Sequence, residues 1–190
     1  MEAFLISTGI VAIAEIGDKT QLLSFLLAAK FRKPWPIVLG IFVATIVNHA
    51  LAGALGALVA SWVEPTTLRW ILGVSFLAMA VWALVPDKLD DKPTLAAFGV
   101  FGTTLVAFFL AEMGDKTQVA TVALAARYDA LAPVVIGTTL GMMIANVPAV
   151  FLGQRAATWL PLKIVRGVAA AIFAAVGIAT IAGVGARWGF

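Results

Sequence analysis

Two octapeptides place charged side chains inside otherwise apolar sequence. The first reads AEIGDKTQ from Ala14 to Gln21, and the second reads AEMGDKTQ from Ala111 to Gln118. Each copy holds a glutamate, an aspartate and a lysine within five residues, between segments that are almost purely apolar. At about 100° per residue, the charged side chains of one copy fall on one helix face. Carboxylates grouped in this way are typical ligands for a cation.

The candidate ligands of the two motifs are all oxygen atoms, which suit hard divalent cations such as Ca²⁺, Mg²⁺ and Mn²⁺ better than zinc or copper. They belong to Glu15, Asp18, Glu112, Asp115, Gln21, Gln118, Thr20 and Thr117. A regular helix would point Thr20 away from the carboxylates. A break at Gly17 or Gly114 would redirect the threonine and expose backbone carbonyls as further ligands.

The charges of the two motifs predict an exchange reaction. Four carboxylates carry −4, and Lys19 and Lys116 carry +2, so a charge of −2 remains. One divalent cation neutralises that remainder, and so do two protons. The sequence therefore predicts that a divalent metal ion moves one way against protons moving the other.

Composition places the chain among integral membrane proteins. It has 190 residues, of which 62% are hydrophobic and 12% charged, and its mean hydropathy is +1.04. Soluble domains are about 45–50% apolar and about 25% charged. The absence of cysteine excludes disulfides and thiolate metal sites. The net charge of +3 comes without a basic patch interleaved with aromatics, so no nucleic-acid partner is expected.

The hydrocarbon core of a membrane is about 30 Å thick, and six apolar segments of the sequence are long enough to cross it. They run over residues 3–29, 36–60, 68–85, 95–126, 132–153 and 164–186. The two motifs lie near the centres of the first and fourth segments. Six unpaired charges at that depth would cost roughly 15–20 kcal/mol, so they must face each other, water or an ion.

The two halves of the chain match each other at an offset of 97 residues. Beyond the motifs, this offset pairs Pro36 with Pro133, Trp62 with Trp159 and Arg69 with Arg166. We therefore predict an all-α integral membrane protein with six transmembrane helices arranged as two three-helix repeats, residues 1–86 and 94–190, joined by a short cytoplasmic loop at 87–93. Three is an odd number, so the second repeat must have inverted topology, as in many secondary transporters.

Basic residues predict the orientation of the six spans. One side of the membrane would hold eight of them and the other side three, and the richer side is expected in the cytoplasm. The richer side has Lys30, Arg32, Lys33, Lys88, Lys92, Arg155, Lys163 and Arg166, and the other has Arg69, Arg127 and Arg187. The N- and C-termini would then lie outside the cytoplasm.

The doubled motif resembles that of a known transporter family. A glutamate, any residue and then Gly-Asp-Lys-Thr, occurring twice in a six-span chain of this length, is similar to the GDT-type family of membrane cation/proton exchangers. That family includes Golgi manganese and calcium transporters and bacterial manganese exporters of the MneA type. The resemblance implies a Mn²⁺ exporter of the bacterial inner membrane, with Glu15, Asp18, Glu112 and Asp115 as the cation site. It implies no permanently bound cofactor, because the metal ion is the substrate.

Other interpretations stay open at this point. A Ca²⁺/H⁺ antiporter would use the same oxygen ligands. A membrane scaffold would use Glu15–Lys19 and Glu112–Lys116 as ion pairs one helical turn apart. An intramembrane metal-dependent enzyme would need an activating base, and the single histidine, His49, lies off the motif. His49, with Asn48 and Asn146, either forms interhelical hydrogen bonds or lies beside the ion path. The oligomeric state is not predicted.

Overall fold

The computed structural model describes residues 1–85, 98–152 and 162–184, and within these ranges the chain forms eight helices and no strand. The predicted loop at 87–93 lies outside the described residues, as do Lys88, Lys92, Arg155 and Arg187. The helices are α1 (Glu2–Glu15), α2 (Lys19–Phe31), α3 (Pro34–Trp62), α4 (Pro65–Ala83), α5 (Gly99–Glu112), α6 (Lys116–Tyr128), α7 (Leu131–Leu152) and α8 (Leu162–Ile181).

Four of the described helices, α3, α4, α7 and α8, are long and apolar enough to cross a membrane. They coincide with the second, third, fifth and sixth predicted spans, which confirms the all-α membrane class. The first and fourth predicted spans differ from the expectation of one helix each. Each is divided at its motif into two shorter helices, α1 with α2 and α5 with α6.

The two divided segments are copies of one another in length and position. Helices α1 and α5 both have 14 residues and end at the motif glutamate. Helices α2 and α6 both have 13 residues and begin at the motif lysine. The bounds of α5 and α6 are therefore those of α1 and α2 shifted by the offset of 97 residues read from the sequence.

The halves of the chain interlock rather than pack side by side. Helix α1 packs mainly against α7, and α5 packs against α3, so the first helix of each half lies on the other half. Small residues make this close approach possible. A Cβ at Gly137 would lie 2.6 Å from the carbonyl oxygen of Phe4, and a Cβ at Gly40 would lie 2.8 Å from the Cβ of Thr104.

The remaining long helices, α4 and α8, pack against each other. Phe76 and Phe173, both fully buried, stack across this contact with ring centroids 6.5 Å apart. The N-terminus of α4 is capped by Glu64, whose carboxylate accepts hydrogen bonds from the backbone N–H groups of Thr66 and Thr67 at 3.1 Å each. Pro65 at the first helical position needs no hydrogen bond there, so the helix begins sharply at this residue.

Candidate cation site

Both motifs form breaks between two helices. The chain leaves α1 after Glu15 and enters α2 at Lys19, and it leaves α5 after Glu112 and enters α6 at Lys116. Gly17 and Gly114 have φ values of 82° and 73°, a left-handed conformation that glycine adopts without steric cost. The structure thereby selects the break over the regular helix. The C-terminal ends of α1 and α5 carry partial negative charge, which favours a cation at the break.

A motif glutamine holds each break in place. The side-chain oxygen of Gln21 accepts a hydrogen bond from the N–H of Gly17 at 2.8 Å, and that of Gln118 accepts one from the N–H of Gly114 at 2.7 Å. These bonds satisfy amides that the break would otherwise leave without an acceptor. One lone pair of each glutamine oxygen accepts this hydrogen bond. As predicted cation ligands, both glutamines would have to use the second lone pair of the same oxygen.

The amide groups of these glutamines extend to the opposite half of the chain. Gln21 donates to the carbonyl oxygen of Ala145 at 3.1 Å, and Gln118 donates to the side-chain oxygen of Asn48. Asn48 in turn donates to the carbonyl oxygen of Phe109 at 3.2 Å. Ala145 and Asn48 correspond at the offset of 97, so the two contacts are equivalent. Asn48, predicted as a secondary polar residue, supports the second break.

The four carboxylates are removed from solvent. Glu15 and Glu112 are fully buried, and Asp18 and Asp115 are 1% exposed. Glu15 and Asp18 lie at one break, and Glu112 and Asp115 lie at the other. A group of four buried carboxylates is unfavourable without compensating positive charge, because the desolvation and repulsion of the ions add.

The compensating charge comes from the lysine of the opposite motif. Lys116 Nζ lies 2.9 Å from Asp18 Oδ1, and Lys19 Nζ lies 3.6 Å from Asp115 Oδ2. The scaffold interpretation expected Glu15–Lys19 and Glu112–Lys116 pairs within one helix. Instead, the observed pairs, Lys116 with Asp18 and Lys19 with Asp115, connect the first motif to the second, so each motif supplies the counter-charge of the other.

The two glutamates have different neighbours. Thr117 Oγ1 donates to Glu112 Oε2 at 2.8 Å, and His49 Nε2 lies 3.9 Å from the same oxygen. Glu15 Oε1 accepts a longer hydrogen bond, 3.4 Å, from Asn146. Asn146 also accepts from Ser24 at 2.8 Å, a residue that the sequence offered no reason to select.

Several buried oxygens near the carboxylates have no hydrogen-bond partner within the described residues. They are Glu15 Oε2, Glu112 Oε1 and the hydroxyl of Thr20, which is also fully buried. Buried polar atoms are seldom left unsatisfied, and acceptor atoms without donors are suited to a cation. The chemistry of this donor set fits a hard divalent ion.

Lysine amines lie beside both motif aspartates. Within residues 1–85, 98–152 and 162–184, no three acidic or histidine side chains converge closely enough to hold one metal ion. The two lysines balance two of the four carboxylate charges, and a charge of −2 remains.

Comparisons with known proteins find a matching family and several similar sequences. A family model described as divalent cation/proton antiporter GDT1 matches residues 3–91 and 100–186. A Vibrio cholerae protein named "Putative manganese exporter" is 53% identical over 181 residues, which cover 95% of this chain and 90% of the relative. A GDT1-like protein of Oryza sativa is 29% identical over 201 residues, covering 90% of this chain and 71% of the relative. No solved structure matches the chain.

The family model covers most of the chain, and the Vibrio relative is similar over nearly its whole length. Both findings agree with the doubled motif and with the membrane-spanning helices. The chain is a membrane protein of the divalent cation/proton antiporter GDT1 family.

Proposed function

We propose that this protein exports Mn²⁺ in exchange for protons, through a cation site that both motifs build near the bilayer midplane. The observation that carries the proposal is the crossed pairing of Lys116 with Asp18 and of Lys19 with Asp115 between two broken helices. These pairs bring together the four carboxylates and two lysines whose charges sum to −2. The substrate ion and the protons are the two species that can cancel this charge.

The crossed ion pairs set the charge balance of the proposed site. The lysine amines neutralise the aspartates, while Glu15 and Glu112 supply the carboxylates that remain. A divalent cation that binds the aspartates must displace both amines. Binding and release are therefore linked to a rearrangement of the breaks, which is the property that a transporter needs.

The proposed architecture has six spans in two inverted repeats, residues 1–86 and 94–190. Three observations support it. The bounds of α1 and α2 recur at α5 and α6. The contact of Gly137 with Phe4 recurs as that of Gly40 with Phe101 and Thr104. The family model matches the two halves as separate ranges. Each broken segment would then cross the membrane as a pair of short helices.

The proposed membrane is the bacterial inner membrane, with both termini outside the cytoplasm. The bacterial relative supports the location. The excess of lysine and arginine in the sequence between the predicted spans on one side of the membrane supports the orientation. Export then requires that the site open alternately to the cytoplasm and to the outside.

The identity of the metal rests on the name of the Vibrio relative, which specifies manganese. The oxygen ligands of the motifs would also accept Ca²⁺, so a Ca²⁺/H⁺ antiporter is the second candidate.

The decisive experiment is transport into proteoliposomes that contain a pH-sensitive dye. We expect external Mn²⁺ to enter and protons to leave in wild type, with weaker responses to Ca²⁺ and Mg²⁺. Glu15→Gln should fold normally, as judged by size-exclusion chromatography, and lose the flux. A protein that transports no divalent cation would overturn the proposal. An exchange of one ion for two protons is electroneutral, so a potential generated by transport would exclude that stoichiometry.

The scaffold alternative makes the opposite prediction for the same variants. If the motif charges only hold helices together, Glu15→Gln and Asp115→Asn disturb folding, and wild type carries no ion flux. Normal folding with lost flux therefore separates transport from assembly.

A further inference from the structure

His49 is a buried side chain whose polar atoms have no assigned use. It lies in α3 with no exposed surface, and neither ring nitrogen has a hydrogen-bond partner within the described residues. Nearly all buried polar groups are hydrogen-bonded, so a histidine in this state requires an explanation. The interhelical hydrogen bond expected as the ordinary role of this residue is not present in the described part of the chain.

The ring nitrogen is placed at an informative distance from a motif carboxylate. His49 Nε2 lies 3.9 Å from Glu112 Oε2. A hydrogen bond between these atoms would be about 2.7–3.2 Å long. Two ligands of one metal ion, with bonds of about 2.1–2.3 Å, lie at most about 4.2–4.6 Å apart. The separation is therefore too long for a hydrogen bond and within the reach of a shared ion.

The equivalent position in the other half shows what a purely structural residue does. Asn146, which corresponds to His49 at the offset of 97, donates to Glu15 and to the carbonyl oxygen of Met142 and accepts from Ser24. Its donor and acceptor groups are all engaged. His49 faces the corresponding glutamate, Glu112, with neither nitrogen hydrogen-bonded within the described residues, so only the glutamate of the second motif has an imidazole nitrogen beside it.

We propose that His49 is a nitrogen ligand of the transported cation, beside Glu112, and that it makes the site prefer Mn²⁺ to Ca²⁺. This inference rests on the proposed transport function. Calcium binds oxygen ligands, whereas first-row divalent metals also accept imidazole nitrogen. Replacing one oxygen position by nitrogen therefore penalises Ca²⁺ and Mg²⁺ more than Mn²⁺. The motif oxygens supply affinity for hard ions in general, and His49 discriminates among them.

The single histidine of the chain makes the test direct. Protein purified without a histidine tag, in a buffer free of amines, is loaded with one equivalent of Mn²⁺ and studied by electron spin echo envelope modulation. We expect imidazole ¹⁴N modulation in wild type, and any such coupling must come from His49. Bound Mn²⁺ without imidazole coupling in wild type overturns the inference while leaving the transport function intact. Absence of bound Mn²⁺ overturns both.

Two variants measure the effect on selectivity. His49→Asn gives the first half the residue that the second half already has at Asn146, and His49→Gln keeps more of the side-chain volume. We expect the preference for Mn²⁺ over Ca²⁺, measured by competition binding, to fall on the order of tenfold in both, the size of loss seen when a group supporting a metal site is removed. An unchanged ratio in a folded variant would contradict the specificity role.

Discussion

The two motif copies differ at one of eight positions, yet they lie in different surroundings. In the first break Gly17 and Gln21 are buried, whereas in the second Gly114 is exposed and Gln118 is partly exposed. Lys116 is 4% exposed and lies 2.9 Å from Asp18, whereas Lys19 is 25% exposed and lies 3.6 Å from Asp115. The first aspartate therefore has the tighter ion pair.

Nearly identical motifs can therefore differ in burial and in the closeness of their ion pairs within one structure. In the proposed inverted-repeat transporter, the two breaks would become equivalent only over a whole transport cycle. In the described structure the first break is better covered than the second. Substitutions in both motifs would show whether this difference in burial also affects stability and transport.

The largest effect is expected at the glutamates, where the copies should behave alike. Glu112→Gln should abolish Mn²⁺ flux as completely as Glu15→Gln, because each removes one of four carboxylates from a single site. Flux is measured in proteoliposomes, with protein amount and elution profile as controls. Flux retained by one of the two variants would mean that one motif suffices to carry the ion.

Substituting the two motif lysines should have unequal effects on stability, because their ion pairs differ in length and burial. Lys116→Met removes the amine that lies 2.9 Å from Asp18, and breaking a buried ion pair in this way costs about 3–5 kcal/mol. Lys19→Met breaks a longer pair whose lysine is 25% exposed, so the loss should be smaller because solvent already screens this lysine. Thermal unfolding in detergent without metal should therefore show a much lower melting temperature for Lys116→Met.

A double variant controls for lost packing. Adding Asp18→Asn to Lys116→Met removes both charges and should recover part of the melting temperature. Equal losses for the two single variants would show that the closer pair is not the stronger one.

The interlocking of the halves should respond to added methyl groups. Gly137→Ala forces a Cβ to 2.6 Å from a backbone oxygen, and Gly40→Ala forces one to 2.8 Å from the Cβ of Thr104. Such overpacking costs about 1–3 kcal/mol, with the larger loss at Gly137 because a backbone oxygen cannot rotate away. Gly9→Ala is the control, since no atom lies within 4 Å of that Cβ. A drop in melting temperature for Gly9→Ala as large as for the others would refute the close-contact explanation.

The smallest effect concerns a carboxylate outside the motifs. Two backbone hydrogen bonds from Thr66 and Thr67 lower the pKa of Glu64. Its ionised form therefore stabilises α4 above the ordinary pKa of about 4.5, and this stability is lost as the pH falls through the lowered pKa. Glu64→Gln should slightly lower the melting temperature at pH 7, and the difference should vanish in acid. A difference that persists in acid would assign the effect to packing.

The sequence predicted the features of this molecule that depend on composition and spacing. Apolar length located the four long helices to within a few residues, since burial of apolar surface in a bilayer depends on little else. The offset of 97 residues also relates Phe76 to Phe173; their stacking in the structure is a contact that the offset alone did not predict. Gly17 marked the possible break, because glycine permits both a close approach and a left-handed backbone.

Features that depend on tertiary contacts were beyond the sequence. Spacing alone favoured a pair within one helix for Lys19, since side chains four residues apart are neighbours only while the helix is continuous. The break ends the helix between Glu15 and Lys19, so the two are no longer neighbours on one helix face. The ion pair of Lys19 with Asp115 depends on the packing of α1 on α7 and of α5 on α3. The role of Gln21 as an acceptor for Gly17 likewise exists only once the helix is broken.

The crossed ion pairs also constrain how the protein is made. Asp18 is synthesised 98 residues before its partner Lys116, and Lys19 is synthesised 96 residues before its partner Asp115. At elongation rates of about 5–20 residues per second, this delay is about 5–20 s. During that time the first motif must wait at the translocon or at the membrane surface, because unpaired charges at the centre of the bilayer cost about 2.5–3.5 kcal/mol each. Stable insertion of the first segment is therefore expected only after the second motif has been synthesised.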